Sequence, residues 1–446
     1  MNRRTFITSG TLAAAGYAIG GCATATSGGS SRGTLATPRR PPVRNVQLAP
    51  VRASFDRIIR TTVGLRPHRD SGFVLRAEKL DAKTLIHNYG YAGTGMSLAW
   101  GAGVMVSEFA QASGERRVAV IGCGSPGLCA ARQLQRRGFD VTIYAATVPP
   151  DTTSNMSLAG FTPTTALVSN DRRTPAWDAQ FLRAAELSYR QLQLMVGQNY
   201  GVYWMDSYNA TDNPNQQGRG GAPGAGGGGG RGGAGGGGGR GGGAEVGGAT
   251  DADLLPPELR PNRNREVLGP GEHPFPTQYA IRTPALAIEP NIYMDALVRD
   301  FLMFGGKIVI RKFDTPRDLM TLTEPVIVNS TGLGSFTLFD DKELVPIKGQ
   351  LTALVAQPEV NYRANGRAPD GGNASMNARS DGIIIGNLQD RGNWSLEPDQ
   401  DVIRRNVQAA IDFFALMRPP APGARLTRSG APASPPRVDA FFDAQS

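Results

Sequence analysis

A glycine-rich turn is the feature of this sequence whose residue types and spacing are best suited to chemistry. The apolar run from Arg117 to Ile121 predicts a strand, and it leads directly into Gly122, Cys123, Gly124, Ser125, Pro126 and Gly127. In a strand–G-x-G-x-x-G–helix unit, the first glycine permits a tight turn, the second lets a pyrophosphate approach the backbone, and the third packs helix on strand. The N-terminus of the following helix then faces the phosphates. The pattern therefore predicts a dinucleotide site at residues 122–127.

The strand after this turn lacks the residue that usually contacts the ribose. Val141 to Tyr144 predicts the second strand of a βαβ unit, but Ala145 and Ala146 stand where an acidic residue is typical. No arginine lies nearby to favour a 2′-phosphate, so NADP gains no support. For Cys123 and Cys129, six residues apart, packing is a better interpretation than redox chemistry.

A second strand also leads into glycine. Val326 to Asn329 is apolar and is followed by Ser330, Thr331 and Gly332. Such a glycine lets the backbone come close to a flat or charged group, although an ordinary strand and turn is the alternative.

Composition excludes several classes of protein. Among 446 residues there are three cysteines and three histidines, which excludes a disulfide framework and predicts no metal site. The net charge of +9 is a mild bias and gives little support for nucleic-acid binding. Of 58 glycines, 21 lie within residues 218–248, together with three arginines but no aromatic residue for stacking on bases. We therefore expect residues 211–250 to be a disordered spacer.

The amino end predicts export. Met1, Asn2, Arg3, Arg4, Thr5 and Phe6 precede a small-residue apolar stretch, which is typical of a twin-arginine signal over residues 1–22. Ile19 to Cys22 approximates a lipoprotein cleavage box, so Cys22 is a candidate lipid anchor; the alternative is cleavage near Ala25 and a soluble periplasmic product. Residues 23–54 then predict a disordered tether.

The elements that must position these residues alternate in the manner of an α/β protein. We predict strands at 58–63, 72–77, 84–89, 117–121, 141–144, 307–310, 325–329, 351–355 and 382–385. Helices are predicted at 96–110, 128–137, 177–197, 292–304 and 402–416, and the proline-rich segment 419–446 predicts a loose tail.

The segment Leu85 to Gly101, LIHNYGYAGTGMSLAWG, closely resembles the signature segment of the D-amino-acid oxidase family of FAD flavoproteins. Gly64 to Arg69 resembles that family's substrate-arginine motif, and further similarities lie at 152–155, 328–332, 346–350 and 392–394. In the family, the arginine and HNYG segments are at the carboxyl end, whereas here they precede the glycine turn. The chain is therefore interpreted as a circular permutation, with the new ends between the helix near Phe413 and the strand at Ile58.

The resemblance implies an FAD-binding Rossmann-like domain with a parallel sheet and a substrate domain with a mixed sheet, interleaved along the chain. It divides the chain into the permuted segment 55–110, the FAD-binding core 111–210, the insertion 211–250 and the substrate domain 251–418. It also implies oxidation of D-amino acids, with hydride transfer from the α-carbon to flavin, hydrolysis of the imine to a 2-oxo acid and ammonia, and reduction of O2 to hydrogen peroxide.

The residues that the resemblance assigns are few. Arg66 matches the arginine that binds the substrate carboxylate, and Gly93 the residue whose carbonyl meets the substrate amine. His87 is not assigned as a base. The remaining FAD contacts implied by the resemblance are Gly90, Gly93, Thr94, Gly95, Met96, Thr152, Thr153, Ser154, Thr331 and Gly332.

One departure from the family concerns the substrate site. The family has a tyrosine where this chain has Ser375, and proline where it has Ala378. We expect residues 357–378 to form an active-site lid and treat Tyr362, within it, as the candidate replacement.

Other functions stay open: a glycine- or sarcosine-type amine oxidase, an acceptor-linked amino-acid dehydrogenase of the same fold, a catalytically weakened flavin-binding protein, or a nicotinamide dehydrogenase.

Overall fold

The computed structural model describes residues 45–164, 168–169, 171–215, 254–260, 264–386 and 388–427, all within the compact unit Val43–Ser446. The predicted export signal, the tether up to residue 44, residues 216–250 of the predicted spacer and the tail beyond residue 427 lie outside the described residues.

The described residues contain fifteen strands. They are β1 (Ile58–His68), β2 (Val74–Leu80), β3 (Lys83–Tyr89), β4 (Arg117–Ile121), β5 (Asp140–Ala145), β6 (Val202–Thr211), β7 (Glu266–Leu268), β8 (Tyr279–Ile288), β9 (Lys307–Ile310), β10 (Val326–Asn329), β11 (Val345–Leu354), β12 (Tyr362–Arg367), β13 (Asn373–Arg379), β14 (Gly382–Ile385) and β15 (Asp390–Arg391).

In the same described part of the chain there are seven α-helices: α1 (Gly95–Ala112), α2 (Ser125–Arg136), α3 (Pro175–Leu194), α4 (Pro290–Met303), α5 (Pro316–Leu319), α6 (Ser335–Leu338) and α7 (Gln400–Phe414). Short 3-10 helices span Phe55–Arg57, Pro257–Leu259 and Gly332–Gly334. In the described ranges no helix is both long and apolar enough to cross a bilayer.

Six strands form a largely parallel sheet in the order β2-β3-β10-β4-β5-β9, in which only β2 runs antiparallel to its neighbour. The central strands are continuous apolar runs because helices and loops cover both faces of the sheet. The carboxyl ends of five strands therefore meet at one edge, where ligands bind in sheets of this kind.

Small residues let the helices beside this sheet approach closely. A Cβ on Gly101 of α1 would lie 2.2 Å from the carbonyl oxygen of Ala184 in α3, and one on Gly103 would lie 3.0 Å from that of Cys129 in α2. Leu98, Leu128 and Phe181 from the three helices are each fully buried in the shared core. This packing fixes α1 and α2, whose N-termini open onto the sheet edge.

The second sheet has nine strands in the order β1-β11-β14-β13-β12-β6-β8-β7, with β15 paired to β11. It is mixed, because β12 and β6 are parallel while the other pairs are antiparallel. One face packs against α7 through an aromatic core that includes Tyr208, Tyr362 and Phe413. The predicted α/β fold, with a parallel Rossmann-like sheet and a mixed sheet interleaved along the chain, is confirmed.

The early segment contributes to both sheets. β1 pairs with β11, and β3 lies beside β10 in the parallel sheet. At the other end of the described chain, the backbone N–H of Thr427 donates to the carbonyl of Gln47 at 2.7 Å, and the N–H of Gln47 donates to the Thr427 hydroxyl at 3.0 Å. The two ends of the described chain are thus neighbours, as a circular permutation requires.

The predicted lid is wrong. Most of the expected segment 357–378 lies in β12 (Tyr362–Arg367) and β13 (Asn373–Arg379), an antiparallel pair inside the nine-stranded sheet. Their strand character was obscured by glycine and asparagine, which are uncommon in strands.

Candidate functional site

The carboxyl edge of the parallel sheet opens into a cavity of about 420 Å³. Its walls come from the segments that follow β3, β4, β5, β9 and β10, from residues 152–157, and from Leu65, Arg66 and Pro67 of β1. Nearly all of these segments are turns that begin where a parallel strand ends, so the sheet itself brings them together.

The turn after β4 has the geometry of a phosphate cradle. Gly122 has φ +111°, and a Cβ there would lie 2.4 Å from the carbonyl oxygen of Ser330; a Cβ on Gly127 would lie 2.1 Å from the carbonyl oxygen of Gly122. Only glycine fits at either position. Gly122, Cys123, Gly124 and Pro126 line the cavity, while Ser125 and Gly127 support the turn from behind.

Residues 152–154 complete this cradle. The hydroxyl of Ser154 accepts a hydrogen bond from the backbone N–H of Ser125 at 2.9 Å, and Thr152, Thr153 and Ser154 all line the cavity. Backbone N–H groups at a helix N-terminus, next to hydroxyls and without an acidic side chain in the turn, form a donor set for an anionic group. The cradle therefore fits the pyrophosphate of a dinucleotide.

The turn after β3 forms the opposite wall. Gly90, with φ +86°, is followed by Gly93, Gly95 and Met96, all of which line the cavity. Thr94 does not line it: its side chain is fully buried, and its hydroxyl donates to the carbonyl of Tyr91 at 2.8 Å.

Asn88 holds this turn in place and was not singled out by sequence reasoning. Its amide nitrogen donates to the carbonyl of Pro126 at 3.2 Å and to the hydroxyl of Ser330 at 3.0 Å. Its amide oxygen accepts from the Tyr91 hydroxyl at 2.6 Å. One buried amide thus connects the ends of β3 and β10 to the start of α2. Thr331 and Gly332, after β10, also line the cavity.

Arg66 reaches the same cavity from the other sheet. It lies on β1 with its side chain across Gly349 of β11, where a Cβ would be 2.7 Å from Nη2. Nη1 donates to the carbonyl of Leu388 at 3.3 Å, and burial lowers the pKa of the guanidinium. The structure therefore places a partly buried cation across the cavity from the glycine cradle.

Tyr362 lies elsewhere. Its side chain is 1% exposed, its ring packs edge-on against Tyr208, and its hydroxyl donates to the carbonyl of Ala49 at 2.7 Å. It belongs to the aromatic core under α7, on the face of β12 that packs away from residues 152–157. The expectation that Tyr362 replaces the family tyrosine is therefore wrong. Ser375, at the tyrosine's position, is buried within β13.

The ends of β5 and β9 supply cavity residues that sequence reasoning missed. Tyr144 to Thr147 and Arg311 to Asp314 line the cavity. Lys312 pairs with Asp314 at 2.7 Å, and the Arg311 guanidinium lies 4.6 Å from the centre of the Phe313 ring. A carboxylate, that of Asp314, is therefore present at this edge, but it comes from the segment after β9, the strand beside β5. Since β9 was predicted at its observed position, the rule that parallel strands end at one edge would have identified these residues.

Two candidate reactive groups are inert. His87 accepts from the Asn329 amide at 3.1 Å through Nδ1 and contacts Glu78 at 3.1 Å through Nε2, and burial lowers its pKa, so it is a neutral structural residue. Burial raises the pKa of the Cys123 thiol to about 12, which excludes a thiolate at neutral pH. Within the ranges that the structure describes, no group of three or more His, Cys, Asp or Glu side chains could hold a metal ion.

Comparisons with known proteins agree with this architecture. Residues 117–443 match the family model DAO, described as FAD dependent oxidoreductase. A D-amino acid oxidase of Dugesia ryukyuensis is 23% identical over 296 residues, which is 64% of this chain and 73% of that protein. A D-amino-acid oxidase of Rubrobacter xylanophilus is 25% identical over 334 residues, 72% of this chain and 88% of that protein.

Among solved structures, glycine oxidase from Geobacillus kaustophilus is similar with a TM-score of 0.43 at 16% identity, over 67% of this chain and 78% of that one. L-proline dehydrogenase from P. horikoshii has a TM-score of 0.40 at 12% identity, over 68% and 77%. Scores this low add no weight to the family match.

Proposed function

The chain belongs to the DAO family of FAD-dependent oxidoreductases, and from this premise we propose that it oxidises D-amino acids with O2. The observation that supports the proposal most is the meeting of Arg66 and the glycine turn 122–127 at one cavity, although 55 residues separate them in the chain. A nucleotide-binding cradle and a cation able to grip a carboxylate are the two parts that an amino-acid oxidase of this kind needs.

FAD is the cofactor of this family, and the cavity has residues suited to hold it. Gly122, Gly124 and Ser154 would lie at the pyrophosphate, and the backbone from Gly90 to Met96 with Thr331 and Gly332 would lie along the flavin. When bound, FAD supplies a hydride acceptor for the substrate α-carbon; the resulting imine hydrolyses to a 2-oxo acid and ammonia, and O2 takes up the two electrons as hydrogen peroxide.

The residues of this chain act by positioning. The planar guanidinium of Arg66 would bind the substrate carboxylate through two parallel hydrogen bonds, fixing the direction of the α-carbon. By the resemblance, the carbonyl of Gly93 would accept a hydrogen bond from the substrate amine. Among the described residues that line the cavity there is no histidine or glutamate. The described lining therefore offers binding and orientation, and the proposed reaction requires no histidine base.

By the resemblance, Ser375 stands where the family has a tyrosine that donates to the substrate carboxylate, and its hydroxyl is on a much shorter side chain. Loss of such a donor weakens binding by about 1–3 kcal/mol. This departure favours a second candidate, a glycine- or sarcosine-type amine oxidase, in which the substrate site differs while the flavin site is shared.

Peroxide release from the purified, FAD-loaded protein separates these candidates. A panel of D- and L-enantiomers, with glycine and sarcosine included, should give peroxide only with D-amino acids. Arg66→Ala should raise KM and lower kcat by orders of magnitude. As a control, Arg52→Ala should leave both unchanged, because the Arg52 side chain is 62% exposed. Preference for glycine or sarcosine would support the second candidate, and turnover with a dye acceptor but not O2 would support a dehydrogenase.

We also propose export through the twin-arginine pathway, supported by Arg3 and Arg4 ahead of the apolar stretch. Arg3→Lys with Arg4→Lys should retain the protein inside the cell, and Cys22→Ala should abolish any lipid-dependent membrane fractionation. An unchanged periplasmic yield of the double lysine variant would contradict the proposal.

A further inference from the structure

Asp381, in the turn between β13 and β14, is a carboxylate shared by two arginines. Arg379 binds both of its oxygens, donating from Nε at 2.8 Å and from Nη2 at 2.7 Å, and Arg60 of β1 donates to the same carboxylate. The Arg379 side chain is 5% exposed. Burial raises the pKa of Asp381, but the hydrogen bonds and charges of the two arginines outweigh this effect and hold the pKa below its ordinary value. The pair is therefore charged, and its two parallel hydrogen bonds fix the guanidinium in one orientation.

The remaining nitrogen of Arg379 contacts the wall of the cavity. Nη1 donates to the backbone carbonyl of Ser157 at 3.2 Å. Ser157 lines the cavity together with residues 152–154, and we call residues 152–157 the wall segment. All three nitrogens of the Arg379 guanidinium thus form hydrogen bonds to protein groups. The contacts of Arg379 therefore hold the wall segment, and they leave no nitrogen of this guanidinium unpaired for a ligand.

Asn291, at the start of α4, connects Asp381 to the other end of the wall segment. Its amide nitrogen donates to Asp381 at 3.4 Å, and its amide oxygen accepts from the amide of Asn155 at 3.0 Å. The amide oxygen of Asn155 accepts from the hydroxyl of Thr152 at 2.7 Å. Asn155 and Thr152 are both buried. Asp381 is thus linked to the first residue of the wall segment through two asparagines, and to the last through Arg379.

The wall segment contains only turns and bends, so its conformation depends on contacts with the elements around it. A Cβ on Gly64 of β1 would lie 3.0 Å from the Cβ of Met156, which shows that the segment lies directly on this strand. In the middle of the segment, Ser154 accepts from the N–H of Ser125 at the phosphate cradle. Groups that bind a ligand must be held to within about 0.5 Å by their supporting contacts. A shift of the wall segment would therefore displace a hydroxyl of the cradle.

We propose that Arg379 and Asp381 are positioning residues for the cofactor, which hold the wall segment in the conformation that binds FAD. The residues of this network come from β1, the wall segment, α4 and the turn after β13, so the fold alone brings them together. The inference rests on the FAD site described under the proposed function, and it does not depend on which substrate the enzyme oxidises.

FAD titration of the full-length apoprotein tests the inference. In Arg379→Met and in Asp381→Asn, the Kd for FAD should rise at least about tenfold, because hydrogen bonds between charged groups that hold the wall segment are lost. Arg379→Lys keeps the charge and a single donor group, so its Kd should lie between those of the wild type and Arg379→Met. A wild-type Kd in Arg379→Met would overturn the proposal.

Arg282 provides the matched control, because it is also a buried, paired arginine of the nine-stranded sheet. It pairs with Asp206 at 2.9 Å and with Glu266 at 3.2 Å, and none of these three residues is among those that line the cavity. Arg282→Met should lower the Tm of the apoprotein and leave the Kd for FAD unchanged. If Arg282→Met weakened FAD binding as much as Arg379→Met does, the effect would be one of general stability and the proposal would be wrong.

Asn291→Ala provides the test if the variants at Arg379 and Asp381 do not fold. It should raise the Kd for FAD severalfold. In an Asp381→Asn background it should raise the Kd by a smaller factor, because both residues act through one network. An unchanged Kd in Asn291→Ala, or the same factor in both backgrounds, would overturn the network. These titrations use no substrate. A protein that binds FAD but releases no peroxide with any amino acid would contradict the proposed function alone, whereas wild-type FAD affinity in the variants would contradict this inference alone.

Discussion

Gly349 offers a way to displace the Arg66 guanidinium without touching the flavin site. A Cβ at this position would lie 2.7 Å from Nη2 and 2.9 Å from Cζ of Arg66, whereas ordinary contact begins near 3.4 Å. Gly349→Ala therefore forces a shift of about 0.7 Å, the difference between those two distances. Because the clashing atoms are the far end of a flexible side chain, the arginine moves and the strand stays.

The expected effect of Gly349→Ala is weaker substrate binding. Hydrogen bonds to charged groups contribute about 1.5–3 kcal/mol, so misplacing the guanidinium should raise KM by about 10- to 150-fold. The fold should be nearly unaffected, because the backbone of β11 tolerates alanine at this position. FAD content should equal that of the wild type.

Steady-state peroxide kinetics with one D-amino acid measure the effect. Gly269→Ala is the matched control, since a Cβ there would make only an ordinary contact, 3.6 Å from Glu272, outside the residues that line the cavity. In an Arg66→Ala background, Gly349→Ala should add nothing. An unchanged KM in Gly349→Ala, or an equal further loss in the Arg66→Ala background, would refute the role of Arg66.

Three more predictions follow from the same geometry. Gly124→Ala places a Cβ 3.3 Å from the Ser154 hydroxyl at the cradle, so the protein should fold but bind FAD at least tenfold more weakly. FAD titration measures this, and wild-type affinity would contradict the assignment of residues 122–127 as the phosphate cradle. Burial lowers the folded-state pKa of all three histidines, so their contribution to the free energy of unfolding should be complete above about pH 6.5. Below that pH the free energy of unfolding should fall by up to about 1.4 kcal/mol per pH unit for each histidine. A Tm that does not depend on pH between 7 and 5 would contradict this. A variant in which residue 427 is joined to residue 45 and new termini are opened within residues 113–116 should fold and bind FAD, because the present ends already share hydrogen bonds. An insoluble product with a short linker and also with a long linker would argue against the permutation.

The parts of the fold that were predicted correctly are those that depend on local sequence patterns. The unit β4–turn–α2 is specified by neighbouring residues: an apolar strand, glycines at fixed spacing, and an apolar helical stripe. The α1 segment was likewise predicted within two residues at each end. In both cases the residues that form the element also determine its contacts.

The parts that failed depend on pairing across long distances in the chain. β12 pairs with β6, more than 150 residues earlier, and nothing in the local sequence of residues 362–367 indicates that partner. With β12 and β13 taken for a loop, Tyr362 was assigned to the substrate site and Ser375 to a lid. Side chains alternate between the two faces of β12, and this alternation places Tyr362 in the core. A register shift of one residue would place it on the other face.

The missed residues of the cavity have two different causes. Asp314 supplies a carboxylate at the sheet edge because β9 lies beside β5, and although β9 was predicted at its observed position, the segment after it was not considered as part of that edge. Asn88 was visible inside the HNYG segment, but its role depends on Pro126 and Ser330 arriving at the same point.

Anaerobic mixing of the FAD-loaded protein with the two enantiomers of one amino acid tests the central claim most directly. The visible absorbance of oxidised flavin should bleach with the D-enantiomer, remain with the L-enantiomer, and remain with both in Arg66→Ala. A protein that binds FAD but whose flavin is reduced by neither enantiomer, or equally fast with and without Arg66, would contradict the claim that this cavity holds an amino-acid carboxylate against the flavin.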